Sequence, residues 1–112
     1  MIKLGRGEVW LIDLQPATGH EQDGVRPALI ISDNLFNMSS SGMVVVVPIT
    51  SKYRGIPSHV EIDEGFMKQK SYIKTEDIRA ISSKRLIKKL GSVERPILEK
   101  MEECFKLILG FE

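Results

Sequence analysis

A mainly β domain, a sandwich or small barrel with one C-terminal α-helix, is the fold predicted by this 112-residue sequence. Three observations predict it: many short β-branched segments separated by turn residues, four consecutive valines near mid-chain, and a switch to helical periodicity after residue 94. At roughly 100 to 200 residues per domain, the length predicts a single domain over residues 1–112 and at most one active site per subunit. Hydrophobic residues are 42% and charged residues 28%, globular proportions that exclude a disordered or fibrous chain. The core of so short a chain is thin, so self-association adds useful burial.

The first strand is read at Gly7 to Asp13, which mixes β-branched, aromatic and polar residues and stops before Pro16. Gln15 to Val25 holds Pro16, Gly19 and Gly24 and forms a loop of about ten residues, a length that in compact domains is often functional. Arg26 to Ser32 is the second strand, with Pro27 at its start, where a missing N–H is tolerated. Asp33 caps a helical turn through Asn34 to Asn37, broken by Ser39 to Gly42. Met43 to Thr50 follows, and its valines, Val44 to Val47, imply burial on both faces at the centre of the fold. Ser58 to Ile62, Ser71 to Thr75, Ile78 to Ser82 and Arg85 to Leu90 complete the strands. In the last segment Ile97, Leu98, Met101, Phe105, Ile108 and Leu109 recur at helical spacing, with Glu99, Lys100, Glu102, Glu103 and Lys106 facing away. Pro96 fits only a first turn, so the helix starts near Glu94 or Arg95, and Gly110 stops it.

Net charge is +1, but residues 66–90 carry eight bases against Glu76 and Asp77, a net +6. Such a block suits a polyanion or simply a solvated face. The longest apolar run, Met43 to Ile49, is far below the ~20 residues that cross a bilayer. Met1 to Gly7 lacks the apolar stretch of a secretory signal, and the single cysteine, Cys104, falls in the apolar stripe of the helix, so a reducing, cytoplasmic setting is expected. Histidines at 20 and 59 with one cysteine give no metal-ligand spacing, and no glycine-rich phosphate loop precedes a Lys-Ser/Thr pair. Chemistry without metal or cofactor, carried by side chains alone, is the expectation.

Polar side chains gather at strand ends beside the long loop: His20, Glu21, Gln22, Arg26, Thr50 and Ser51. An arginine at the mouth of a strand grips phosphate with its planar fork, and a nearby hydroxyl donates to a second oxygen, the pair that a phosphorane dianion requires. His20 can hold charge or move protons near neutral pH. The bland reading makes Arg26 a surface arginine before a proline, Thr50 an ordinary strand end and His20 an inert loop residue. His59, in alternation with Val60, Glu61 and Ile62, reads as structural.

The strings Arg6-Gly7-Glu8-Val9-Trp10-Leu11 and Gly19-His20-Glu21-Gln22-Asp23-Gly24-Val25-Arg26-Pro27-Ala28-Leu29-Ile30-Ile31-Ser32 closely resemble the MazF/PemK (Kid-like) toxin family. Val47-Pro48-Ile49-Thr50-Ser51, His59-Val60-Glu61-Ile62-Asp63 and Glu76-Asp77-Ile78-Arg79-Ala80-Ile81 match in order, so the likeness runs from about Arg6 to Gly110. The resemblance implies a small SH3-like β barrel of the kind shared with CcdB, closed by the C-terminal helix and working as a homodimer. It implies a toxin of a toxin–antitoxin pair, a metal-independent endoribonuclease that cuts single-stranded mRNA at short sequences. Carried over by position, Arg26 and Thr50 match the catalytic arginine and threonine, and His20 a site histidine. Kid-like members place an arginine and an aspartate where this chain has Lys74 and Glu76. Glu76 keeps a carboxylate as candidate base, whereas Lys74 lacks the bidentate fork.

The mechanism these residues support is attack of the RNA 2'-hydroxyl, deprotonated by Glu76 or another base, on its adjacent phosphate. Arg26, Thr50 and protonated His20 stabilise the added charge, and the products are a 2',3'-cyclic phosphate and a 5'-hydroxyl. Glu21, Gln22, Ser51 and Lys52 flank the site in two loops and are the candidates for base contact. An acidic antitoxin tail that folds on binding suits the same basic groove. A CcdB-like, noncatalytic gyrase poison is the alternative, disfavoured because that activity depends on a tryptophan near the C-terminus and here the only tryptophan is Trp10. A third reading is an RNA-binding barrel without cleavage.

Overall fold

The structure is a computed structural model that describes residues 4–14 and 24–111. The described residues form seven strands: β1 (Glu8–Asp13), β2 (Val25–Ile30), β3 (Met43–Thr50), β4 (His59–Ile62), β5 (Ser71–Lys74), β6 (Arg79–Ser82) and β7 (Leu86–Ser92). Two α-helices accompany them, α1 (Asn34–Asn37) and α2 (Arg95–Leu109). Every strand pairing among the described residues is antiparallel, in the order β4-β5-β3-β2-β1-β7, with β6 on β3.

β3 is the hub. Its first half pairs with β6, its last two residues pair with β5, and β2 runs along its other edge. Val44, Val46 and Val47 are fully buried, as a strand with both faces covered requires. One face carries the cluster of Val9, Leu29, Val47, Ile49, Val60, Ile62 and Ile73, which Val93, between β7 and α2, and Met101 of α2 complete. The other face carries Leu4, Ile12, Leu14, Ala28, Ile30, Val44, Val46 and Ile81. Among the described residues β4 and β7 form no ladder with each other, so the sheet is barrel-like without closing. α2 covers the opening, its Ile97, Leu98, Cys104 and Phe105 packing on the first cluster.

Strand boundaries move from their sequence positions for local reasons. β2 ends at Ile30 because the N–H groups of Ile31 and Ser32 both donate to Val45 C=O, which ends the regular ladder. β7 begins at Leu86, after a 3₁₀ turn over Ser83–Arg85 that Ser82 Oγ caps by accepting the Lys84 N–H. It continues to Ser92, beyond the Leu90 expected, because Glu8 and Val9 extend the β1 pairing through Ser92 and Gly91. Two register shifts along β1–β7 bend the ribbon, the usual effect of β-bulges.

Gly91 sits at one of these irregularities and lets Phe66 cross the strand, since a Cβ there would lie 2.4 Å from Phe66 Cδ2. Gly91→Ala is therefore expected to destabilise the fold by about 1–3 kcal/mol through overpacking. Denaturant midpoints check this, and in Phe66→Leu/Gly91→Ala the loss should fall short of the summed single losses because the two sites touch.

Candidate active site

Strand register brings the two central residues together. Ala28 lies opposite Pro48, and continuing that register by two residues along each strand sets Arg26 opposite Thr50. Thr50 in turn pairs with Tyr72 of β5, and His59 of β4 with Lys74. A cleft of about 550 Å³ opens here, lined by Arg26, Thr50, Ser51, Lys52 and Lys74 among others. Its apolar wall is Leu11, Pro27, Ile49, Phe66, Met67 and Leu90. Leu11 and Pro27 are a cross-strand pair, and Ile49 also belongs to the first core cluster, so the wall is the outer margin of that core.

The charged lining is entirely cationic: Arg26, Lys52, Arg54, Lys68 and Lys74, with no carboxylate among the described residues. Such a cleft concentrates anions and orients them at its floor. Thr50 is 8% exposed, and its Oγ1 accepts the Lys52 N–H at 3.2 Å. A hydroxyl has one proton and two lone pairs, so accepting there leaves the proton to donate. Lys74 Nζ stands 3.8 Å from Asp77, which also pairs with Arg79 at 3.3 Å, so its charge is shared between the cleft and that acid.

Glu76 is not among the residues lining the cleft. Its Oε1 accepts from Ser58 Oγ and its Oε2 faces His59 Nε2, both at 2.9 Å. Burial raises its pKa, but the hydrogen bonds from His59, its own backbone N–H and Ser58, with the charge of His59, prevail and hold it below the ordinary glutamate value. A carboxylate so held is a weaker base than an ordinary one. The side chain of His59 is 3% exposed and its Nδ1 is buried without a hydrogen-bond partner among the described residues, which agrees with its structural reading.

His20, Glu21 and Gln22 lie outside the described residues. The ends of their segment are joined, since Leu14 N–H donates to Gly24 C=O at 3.0 Å and Asp13 pairs with Val25. Of the basic block at 66–90, only Lys68 and Lys74 line the cleft. Lys70 meets Glu61, Arg79 meets Asp77, Arg85 donates to Asp13 C=O and Lys89 meets Glu8. Among the described residues no group of three or more His, Cys, Asp or Glu side chains can hold a metal, and no helix is long and apolar enough to cross a membrane.

Residues 5–109 match the family described as PemK-like, MazF-like toxin of type II toxin-antitoxin system. The chain belongs to this toxin family. Endoribonuclease EndoA of Bacillus subtilis (strain 168) is 35% identical over 109 residues, which is 94% of this chain and 93% of that protein. The crystal structure of MazF from Deinococcus radiodurans shares the fold at 23% identity, with a TM-score of 0.87 over 98% of this chain and 99% of that one. A mycobacterial endoribonuclease solved with its cognate antitoxin is 25% identical, with a TM-score of 0.80 over 100% of this chain and 98% of that one.

In this MazF-like toxin the cleft also holds residues that the sequence reading did not single out. Arg54 could have been found, since it stands two residues after Lys52 in the segment that leaves β3. Phe66 and Met67 carry no local signal, and Lys68 is marked in the sequence only as one base of the 66–90 block. They reach the cleft because the segment between β4 and β5 folds back over β7, where Gly91 makes room for the Phe66 ring.

Proposed function

We propose that this toxin cuts single-stranded RNA in the cleft that Arg26 and Thr50 share. The protein is an endoribonuclease of a type II toxin–antitoxin system, like its curated relative EndoA. The observation that supports this site is the common lining: a guanidinium and a donor-ready hydroxyl on neighbouring strands, amid cations and beside an apolar wall. The 2'-hydroxyl loses its proton and attacks the adjacent phosphorus. The bond to the 5'-oxygen breaks and that oxygen takes a proton. Arg26, Thr50 and Lys74 meet the charge gathering on the nonbridging oxygens, which is where fixed donors accelerate such a reaction most. Arginine keeps its proton in proteins, so it supplies electrostatics and not the proton.

Proton transfer falls to His20 in this reading, because His59 and Glu76 are engaged with each other away from the cleft. Glu76, through Ser58 and His59, holds the turn that follows Lys74. Ser51 and Lys52, directly after β3, contact the RNA strand, and so do Glu21 and Gln22. The toxin acts in the cytoplasm as a homodimer, and its protein partner is a cognate antitoxin, whose acidic tail fits a cationic cleft. Trp10 serves the fold: its Nε1 donates to Glu8 at 2.9 Å and its ring packs on the second core cluster.

Purified protein should cleave a long single-stranded RNA in excess EDTA and leave 2',3'-cyclic phosphate and 5'-hydroxyl ends, while single-stranded DNA, which lacks the nucleophile, survives. Intact RNA, or new 3'-hydroxyl ends, would count against the mechanism.

A further inference from the structure

Tyr53 lies on the segment that brings Ser51, Lys52 and Arg54 to the cleft, between β3 and β4. It is 74% exposed, a large ring turned to solvent beside a set of cations. The ring is nonetheless held. Its centroid is 5.4 Å from that of Tyr72 at an interplanar angle of 57°, within the range of favourable tilted aromatic pairs. Its hydroxyl end lies against Gly55, where a Cβ would stand 3.5 Å from Tyr53 Oη. Gly55 has φ +64°, the left-handed turn that glycine adopts freely and that folds this segment back on the ring. Tyr72 pairs across the strands with Thr50, so the braced aromatic pair begins one strand away from the hydroxyl at the floor of the cleft.

A lone exposed ring is ordinary on a protein surface, but this one is fixed in place, and the groups around it limit what can cover it. Lys52 and Arg54 on either side attract a phosphodiester chain, and the parts of such a chain that cover an aromatic face are its bases. We propose that Tyr53 is a stacking platform for an unpaired nucleobase of the strand whose phosphate sits at Arg26 and Thr50, with Tyr72 and Gly55 as its braces. This rests on the reaction proposed above and adds a binding subsite to it. A base inside a duplex cannot present its face to the ring, so the platform selects single strands. Every base has a π-face, so it contributes affinity with little regard to base identity.

Binding of a random-sequence 2'-deoxy oligonucleotide, which lacks only the attacking hydroxyl, tests this by fluorescence anisotropy. Tyr53→Ala should weaken binding by roughly 5- to 150-fold, the range seen when a stacked ring is removed. Tyr53→Phe and Tyr53→Trp keep a π-face and should bind within about threefold of the original protein, a difference of well under 1.4 kcal/mol. An alanine variant that binds as the original does, or a phenylalanine variant as weak as alanine, would overturn the platform. Absence of any binding by the original protein would overturn it too. RNA cleavage measured in parallel separates the two ideas: loss of binding at Tyr53→Ala in a protein that leaves RNA intact sinks the reaction and keeps the platform, and the reverse pattern does the opposite.

Discussion

Arg26→Ala lowers kcat/KM for RNA cleavage by about 100- to 1000-fold, or about 2.7–4 kcal/mol, the loss expected when a transition-state donor is removed. The side chain stands at the exposed start of β2 and lines the cleft beside Thr50. Its planar fork can bond two nonbridging oxygens at once, whereas a lysine offers a single point charge. Arg26→Lys should therefore fall between the arginine and alanine proteins, and the gap from the original measures what the fork adds to the charge. Single-turnover kinetics on a long single-stranded RNA, with circular dichroism to confirm folding, decide the matter. An alanine variant as active as the original removes Arg26 from the chemistry.

Thr50 carries the second large effect, and its surroundings make the choice of replacement important. Thr50→Val keeps the β-branched shape but removes both the donor and the acceptor of the Lys52 N–H. Cleavage should drop by about 100-fold from the lost donor. Stability should fall as well, by about 1–3 kcal/mol, if the Lys52 amide is left without a partner. Thr50→Ser restores a hydroxyl with both functions and should recover most of the activity. That recovery separates chemistry from packing: if serine is as inactive as valine, the hydroxyl by itself does not suffice and the site requires the γ-methyl group as well.

Much of this site could be read along the chain. Arg26 and Thr50 stand out because each lies at a strand end, one just after a glycine-containing stretch of sequence and one after a buried valine run, and the toxin-family strings fall on the same residues. Ser51, Lys52 and Lys74 reach the cleft as neighbours of those strand ends. Glu76 shows the limit of such reading. Sequence places a carboxylate two residues from Lys74, but whether it faces the cleft or a neighbouring strand depends on the turn after β5, and that turn directs it to Ser58 and His59. The basic block behaves likewise, because charge along a chain does not fix which side of a curved sheet each residue occupies. Lys68 and Lys74 turn to the cleft while Lys70, Arg79, Arg85 and Lys89 pair elsewhere.

By itself the sequence determined the local chemistry of this toxin: which segments are strands, that the helix starts near Arg95 with Pro96 in its first turn and stops at Gly110, and which side chains carry the charges and hydroxyls of the proposed site. These are short-range properties, set by periodicity, backbone allowance and side-chain type. Only the tertiary structure decided that Phe66 crosses Gly91 to wall the cleft, that Glu76 is spent on His59, and that Tyr53 is propped beside the site on Tyr72. Each of those contacts joins residues from different elements or depends on the path of a loop. Register, bulges and loop paths set such meetings, and no local pattern encodes them.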